Sequence, residues 1–253
     1  MQLYGKTIKG RRPGNEDSIY YEQINECFIM MVADGVGGNF GGETASRVCV
    51  AQAGKEFKKF AAFPKPEEMK TCLERIYRQS VQVMERIAVR HERLKGLSST
   101  LALALGIGDS FVVGNIGDSR TFLVRKGQLH QISVDHSYLQ EYRDKYPDEE
   151  VPESMKRQLG HIITRSVSAV SDKMDIFPVQ EICFALKEGE GLLVCSDGLL
   201  LDALGQKKEY WTELLQQPLQ DLVNRMIKGS LEAGSKDNIS VVYGKFNLNS
   251  EVL

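Results

Sequence analysis

The segment Cys27–Gly35, with the sequence CFIMMVADG, decides how the rest of the chain is interpreted. An uninterrupted apolar run that stops at Asp34–Gly35 is typical of a strand buried on both faces that leads into a turn. The same arrangement returns at 191–198, where GLLVCSDG again ends in Asp-Gly. Acidic residues therefore stand at the ends of apolar strands, and strands of one sheet can bring such distant positions together.

The surrounding pattern predicts antiparallel sheets with helices packed outside them, an α+β sandwich. Short β-rich segments separated by Gly-Asp or Lys-Gly pairs are typical of antiparallel hairpins. Apolar residues at a spacing of three and four predict helices, one of which begins after Pro66 and continues to Leu94. The predicted strands cover 4–10, 18–23, 27–35, the hairpins within 98–133, 177–186, 191–198 and 238–246, and the other predicted helices cover 42–60 and 218–233.

A polar stretch from 135 to 175 contains two prolines and only short helical patches. A structureless linker of that length is uncommon inside a compact domain. We therefore predict a mobile, partly helical flap there.

Composition excludes several classes of protein. The 253 residues are 42% hydrophobic and 26% charged, with 32 basic against 34 acidic residues, which is ordinary globular usage. A net charge of -2 gives no electrostatic reason to expect binding to nucleic acid or to an anionic membrane. We found no secretory leader and no membrane span in the sequence, so we expect a cytoplasmic protein.

The cysteines are odd in number and no two have the Cys-x-x-Cys spacing of a zinc or redox site. Most stand in apolar surroundings, which indicates buried thiols in a reducing compartment. They are Cys27, Cys49, Cys72, Cys183 and Cys195.

The acidic residues at strand ends carry the chemical information. Each alone is most simply a local turn residue, because Asp-Gly and Gly-Asp are common turn pairs. Converging carboxylates about 4 Å apart would instead repel each other by roughly 4 kcal/mol at an effective dielectric constant of 20. Cations would relieve that repulsion, and a set made only of oxygen donors favours Mg²⁺ or Mn²⁺ over zinc. The acids in question are Glu16, Asp17, Asp34, Asp118, Asp197 and Asp237.

A phosphate anchor stands close to these acids. The pair Arg11–Arg12 lies just before Asn15–Glu16–Asp17. A guanidinium can grip two phosphate oxygens at once. Carboxylates, divalent cations and an arginine together predict a two-metal phosphoryl hydrolase.

An ordered set of motifs makes this interpretation specific, and the chain resembles the protein phosphatase 2C family, most closely its compact bacterial-type members. The resemblance extends from about Tyr4 to Phe246 and implies a single catalytic domain over 1–253, with the flap at about 136–175. It also implies a four-layer α/β/β/α sandwich, with two antiparallel sheets flanked by helices. The motifs are RRPGNEDS, VADGVGGNFGGETAS, SSTLALALG, GNIGDSRTFLVRKGQL, DHS, ITRS, LLVCSDGL and SKDNISVV.

The resemblance implies a role for each acidic residue. Asp34 would bridge two metal ions, and the Gly35 carbonyl would bind one of them. Arg12 would bind the substrate phosphate and, with Asp34, make up the catalytic pair. The remaining metal-site residues would be Asp197 and Asp237 in the first site, Glu16 and (through outer-shell waters) Asp17 in the second, and Asp118 with Asp197 in a third, weaker site.

The resemblance implies a serine/threonine protein phosphatase that uses Mn²⁺ or Mg²⁺, two ions and possibly a third. Metal-bound hydroxide would attack phosphorus directly, in phosphoproteins that a Ser/Thr kinase has phosphorylated, so the enzyme would act in signalling. We expect a monomer that binds neither nucleic acid nor membrane. The alternative is a catalytically weak, phosphatase-like module that binds phosphoproteins. A calcium-binding structural domain is disfavoured because the acids are scattered along the chain instead of packed in one loop.

Two departures from the family pattern concern substrate handling. Val36 stands where many animal members have a proposed general-acid histidine, and Ser168 replaces a glycine of the flap. We expect His136 and Arg120 to make local structural contacts, and His161 to be a solvated flap residue.

Overall fold

The structure is a computed structural model that describes residues 1–36, 41–170, 179–180, 185–201, 211 and 214–247. Cys183, the end of the expected flap at 171–175, and most of the expected strand at 177–186 lie outside the described residues. None of the described helices is long and apolar enough to cross a membrane.

The order of elements alternates blocks of strands with blocks of helices. The strands are β1 (Gln2–Ile8), β2 (Ser18–Ile24), β3 (Cys27–Ala33), β4 (Gly35–Val36), β5 (Ser98–Ser99), β6 (Leu101–Ile107), β7 (Ser110–Ile116), β8 (Arg120–Arg125), β9 (Gln128–Gln131), β10 (Val167–Ser168), β11 (Val179–Gln180), β12 (Gly191–Cys195) and β13 (Ile239–Lys245). The helices are α1 (Gly41–Ala62), α2 (Met69–Arg90), α3 (Tyr138–Lys145), α4 (Glu153–Leu159) and α5 (Leu219–Glu232).

Two antiparallel sheets form the centre of the fold. One has the order β1-β13-β12-β8-β9 and the other the order β11-β7-β6-β3-β2. A small sheet with the order β10-β5-β4 joins the flap to the strands beside it. The expected antiparallel architecture is confirmed.

The position of β3 between two apolar layers explains why its sequence is apolar without alternation. Ile29 and Met31 pack with the buried side chains of α1 and α2. Phe28 and Met30 point the other way, into the layer between the two sheets. The first sheet covers its outer face with α5, so the layers are helices, sheet, sheet and helix.

The second helical segment is shorter than expected. A 3-10 turn at Pro66–Glu68 precedes α2, and a second turn at Glu92–Leu94 follows it. The helix ends at Arg90 because His91 takes an extended conformation, with φ -131° and ψ 97°. The prediction of one helix from Pro66 to Leu94 was therefore wrong at both ends.

The run of hairpins within 98–133 is interrupted once. Strands β6 and β7 form a hairpin, as do β8 and β9, but β7 and β8 belong to different sheets. The chain crosses between the sheets at Gly117, whose φ of +98° suits glycine. Asp118 therefore stands in a turn between two strands that belong to different sheets.

The polar stretch after β9 contains α3 and α4, in agreement with the expected partly helical segment. Ser137 caps α3 by accepting a hydrogen bond from the Gln140 N–H at 3.3 Å. Ser137 also forms an antiparallel bridge with Ile163. The segment thereby returns to the body of the fold close to where it left.

Candidate active site

A cavity of about 460 Å³ opens at the end of the sandwich where strands from both sheets terminate. Asp34 follows β3 of one sheet, whereas Asp197 follows β12 and Asp237 precedes β13 of the other. The expectation that strands of one sheet would gather the acids was therefore wrong, because the two sheets contribute together. The lining residues are Arg12, Pro13, Gly14, Glu16, Asp34, Gly35, Val36, Thr100, Asp118, His161, Ile163, Asp197, Asp237 and Asn238.

The backbone of Asp34 is fixed by its neighbour Thr100. The Asp34 N–H donates to Thr100 Oγ1 at 2.9 Å, and the Thr100 N–H donates to the Asp34 carbonyl at 2.7 Å. Thr100 Oγ1 in turn lies 2.7 Å from Ser119 Oγ. Burial, and then the charges of Asp17 and Asp197, raise the pKa of Asp34 well above its usual value.

Glu16 reaches the cavity through a tight contact with the start of α1. A Cβ atom at Gly42 would lie 2.6 Å from Glu16 Oε2, so only glycine leaves room for the carboxylate there. The Gly35 N–H donates to the Glu16 carbonyl at 3.2 Å, and Ser46 Oγ donates to the same carbonyl at 2.5 Å. These bonds attach Glu16 to Gly35, beside Asp34.

Asp17 does not line the cavity but lies buried behind it, with 5% of its surface exposed. Its Oδ2 accepts a hydrogen bond from Ser196 Oγ at 2.9 Å, while its Oδ1 has no partner among the described residues. Burial raises the pKa of Asp17 to about 6. A buried carboxylate oxygen without a donor is costly unless water or a cation satisfies it.

Arg12 and Asp237 form a two-pronged ion pair at the mouth of the cavity. Arg12 Nε lies 3.0 Å from Asp237 Oδ1, and Arg12 Nη2 lies 2.7 Å from Asp237 Oδ2. The hydrogen bonds to Asp237 raise the pKa of Arg12 further. Burial, followed by the charge of Asp237, raises the pKa of Asp197.

Asp118 is 8% exposed, and burial together with the charge of Asp197 raises its pKa to about 7. The turn that carries it is joined to the beginning of the flap. The Gly117 N–H donates to His136 Nδ1 at 3.2 Å, and the His136 N–H donates to the Gly117 carbonyl at 2.8 Å. Arg120 Nη2 lies 2.7 Å from Asp135 Oδ2, so Arg120 and His136 make the expected local contacts.

No role was assigned to Asn238 from the sequence. The Asn238 side chain donates to the carbonyls of Lys9 and Gly14 at 2.8 and 2.9 Å and accepts from the Glu16 N–H at 2.8 Å. It thereby fixes the loop that carries Arg12 and Glu16 to the start of β13. The neighbouring Asp237 was the signal in the sequence that could have indicated this role, because an amide next to a candidate metal ligand can position that ligand.

The cavity residues suit divalent cations that keep much of their water. The donors are carboxylate oxygens, burial and then their mutual repulsion raise several of their pKa values, and one oxygen of Asp17, behind the cavity, lacks a partner among the described residues. Among the described residues, no three acidic, histidine or cysteine side chains by themselves form a group able to hold a metal ion. Magnesium-like ions commonly bind through one or two carboxylates plus water, so the arrangement fits this class of ion.

We expect the metal-free protein to lose stability as the pH rises. Asp17 and Asp118 have pKa values of about 6 and 7, against 3.8 in the unfolded chain, so the folded state binds more protons between about pH 4 and pH 7. The free energy of unfolding therefore falls across that interval. Urea denaturation in the presence of a chelator measures the effect. Asp118→Asn should decline less steeply, and an equal slope in both proteins would contradict the interpretation.

We expect Asn238→Ala to lower the free energy of unfolding by about 2–4 kcal/mol, because three buried hydrogen bonds are lost. It should also weaken Mn²⁺ binding measured by calorimetry, because Glu16 loses its anchor. Asn224→Ala is the matched control, since Asn224 accepts one bond from Lys6 Nζ at 2.7 Å, away from the cavity. Equal stability and Mn²⁺ affinity in the two variants would refute this role for Asn238.

The comparisons with known proteins agree with this geometry. The family model for protein phosphatase 2C matches residues 7–234. A serine/threonine phosphatase of Listeria innocua is 28% identical over 252 residues, covering 98% of this chain and 97% of the relative. The serine/threonine phosphatase PstP/Ppp of Mycobacterium tuberculosis superposes with a TM-score of 0.81 at 25% identity, covering 98% of this chain and 99% of that one.

A second structure bears on the metal. The catalytic domain of the phosphatase PstP in complex with two manganese ions superposes with a TM-score of 0.79 at 26% identity, covering 98% of each chain. The family match extends over most of the chain and includes the residues that line the cavity from Arg12 to Asp197. The chain belongs to the protein phosphatase 2C family.

Proposed function

We propose that the cavity is the active site of a metal-dependent phosphatase that hydrolyses phosphoserine and phosphothreonine in proteins. The observation that carries this proposal is the convergence of Asp34, Asp118, Asp197 and Asp237, from both sheets, on a cavity with Arg12 at its mouth. The carboxylates of such a site can bind cations. The cations and the arginine can then bind a phosphoryl group between them.

The ligand assignment follows the positions of the side chains. Asp34, whose pKa is raised by burial and then by the charges of four other acids, would be shared by two ions, with the Gly35 carbonyl beside it. Asp197 and Asp237 would complete one site, and Glu16 with Asp17 would support the other. When bound, Mn²⁺ or Mg²⁺ lowers the pKa of coordinated water and neutralises phosphate charge.

A third ion would be held by Asp118 and Asp197. Asp118 and Asp197 line the same cavity, and the charge of Asp197 is, after burial, the main reason that the pKa of Asp118 is raised. A cation there would relieve their repulsion.

Arg12 would bind the two outer oxygens of the substrate phosphate. Its two-pronged contact with Asp237 has the geometry that a phosphate group would require. Arg12 is more than half exposed, so its side chain can turn from the carboxylate to a phosphate without unfolding the loop.

The leaving serine or threonine oxygen must be protonated as its bond to phosphorus breaks. Val36 lines the cavity and has no proton to donate. His161 also lines the cavity but is exposed on the flap, in agreement with a solvated residue. We therefore assign this proton transfer to water.

The phosphoproteins that the enzyme acts on would be products of a Ser/Thr kinase, and we expect the phosphatase to work as a monomer in the cytoplasm. The thiols support a reducing compartment, since Cys27, Cys49, Cys72 and Cys195 are buried and unpaired with one another. The alternative, a phosphoprotein-binding module without activity, would be favoured by loss of a central acid, yet Asp34, Asp197 and Asp237 are all present.

We expect phosphate release from a phosphothreonine peptide with Mn²⁺ or Mg²⁺, and none with a chelator. Asp34→Asn should lower kcat by at least about 10²–10³-fold, because it removes the carboxylate shared by the ions. Asp109→Asn is the control, since Asp109 lies in the exposed β6–β7 turn at the other end of the strands. Metal-independent release, or full activity in folded Asp34→Asn, would contradict the proposal.

We expect Arg12→Ala to raise KM for the phosphothreonine peptide about 10-fold or more, because two hydrogen bonds between charged groups are lost. Arg12→Lys should recover only part of the loss, since an ammonium group cannot grip two oxygens in the same plane. Arg47→Ala, which breaks an exposed ion pair with Glu43, should leave KM unchanged. An unaltered KM in Arg12→Ala would show that the phosphate binds elsewhere.

A further inference from the structure

We propose that a basic rim beside the cavity, formed by Lys9, Arg11 and Lys236, receives an acidic stretch of the phosphoprotein next to its phosphorylated residue. The inference rests on the proposed function and specifies which substrates that function favours. The basic rim would contact the polypeptide around the phosphate, whereas Arg12 and the acids would act on the phosphate itself.

The three residues of the basic rim are carried by two segments that are held tightly together. Lys9 and Arg11 lie in the loop after β1, and Lys236 lies in the loop before β13. A Cβ atom at Gly10 would lie 2.0 Å from the Asp237 carbonyl, so the two backbones touch. Asn238 adds a hydrogen bond to the Lys9 carbonyl. The rim is therefore a fixed feature at the mouth of the cavity.

The charges of the basic rim are exposed and uncompensated. In the part of the chain that the structure describes, none of the three side chains makes an ion pair, whereas Arg12 beside them is paired with Asp237. The first acidic residue of the sequence is Glu16, so the segment before it has four basic residues and no acid. A local excess of positive charge in a chain of net charge -2 attracts acidic partners.

The basic rim lies outside the cavity, so it is placed to bind the flanks of a phosphorylated residue. Arg12, Pro13 and Gly14 line the cavity, but Lys9, Arg11 and Lys236 do not. An extended peptide advances about 3.3–3.6 Å per residue, so three flanking residues cover about 10 Å of the surface beside the phosphate. The rim residues stand one to three positions along the chain from Arg12 or Asp237, both of which line the cavity.

The flap carries a cluster of charge opposite in sign to that of the basic rim. The loop between α3 and α4 contains the exposed acids Asp148, Glu149 and Glu150, which repel like charge. An acidic stretch of a substrate is therefore attracted by the basic rim and repelled by this loop. The charge distribution thus assigns it to the basic rim.

The test compares hydrolysis of phosphothreonine peptides of equal length. One peptide has three glutamates before the phosphothreonine, a second has them after it, and a third has glutamines in both places. The enzymes are the wild type, the rim variant K9Q/R11Q/K236Q, and the control variant K55Q/R78Q/R86Q. The control removes three exposed positive charges from α1 and α2. Thermal unfolding verifies that each variant is folded.

We expect the wild type and the control variant to favour one glutamate peptide over the glutamine peptide by about 3- to 10-fold in kcat/KM, the range that a few exposed ion pairs supply. The rim variant should lose that preference, and the preference of the wild type should shrink as salt is raised from 50 to 500 mM. Hydrolysis of the glutamine peptide tests the phosphatase function by itself, because this peptide has no added glutamates for the basic rim to bind. If no peptide is hydrolysed, the phosphatase function fails.

If the wild type hydrolyses all three peptides equally, the function stands and the basic rim has no role in selection. A folded rim variant that keeps the preference overturns the inference in the same way. If the control variant loses the preference to the same extent, the preference depends on net charge and not on the basic rim, which also overturns the inference.

Discussion

Repulsion among buried carboxylates at the junction of the two sheets is the constraint on which the rest of the structure depends. Burial and the neighbouring acids raise the pKa values of Asp17, Asp34, Asp118 and Asp197. The fold positions these groups and Glu16 through neutral hydrogen bonds with hydroxyl and amide side chains. Ser196 donates to the Asp17 carboxylate, Thr100 accepts from the Asp34 N–H, and Asn238 accepts from the Glu16 N–H. Because that scaffold contributes little positive charge, the negative charge of the site remains for cations.

Both sheets contribute residues to the site at the ends of their strands, which explains why the site can be both central and open. The two sheets share one apolar layer between them and pack their outer faces against helices, and the strand ends project the acidic residues of the cavity at one edge of the sandwich. Arg12 lies at the mouth of the cavity, where its exposed guanidinium is paired with a single carboxylate, that of Asp237. Charge of one sign is thus concentrated inside the cavity, and charge of the other sign lies around its entrance.

The sequence predicted most of the described elements and named most of the residues that line the cavity. The apolar run of β3 and its terminal Asp34 are local signals, and family motifs placed Arg12 and Asp237 although 225 positions separate them. Periodicity does not say which strand lies beside which, so the crossing between sheets at Gly117 was not foreseen. Asn238 was missed for a related reason, since its partners lie more than 220 positions away in the chain.

The paired hydrogen bonds between His136 and Gly117 join the first residues of the flap to the turn that carries Asp118. A protein substrate that presses on the flap and an ion that binds Asp118 would therefore act on the same few bonds. Thermodynamic linkage is reciprocal, so any increase in ion affinity caused by the substrate must equal the increase in substrate affinity caused by the ion. Metal concentration in the cell would then set the strength of substrate binding as well as the rate of hydrolysis.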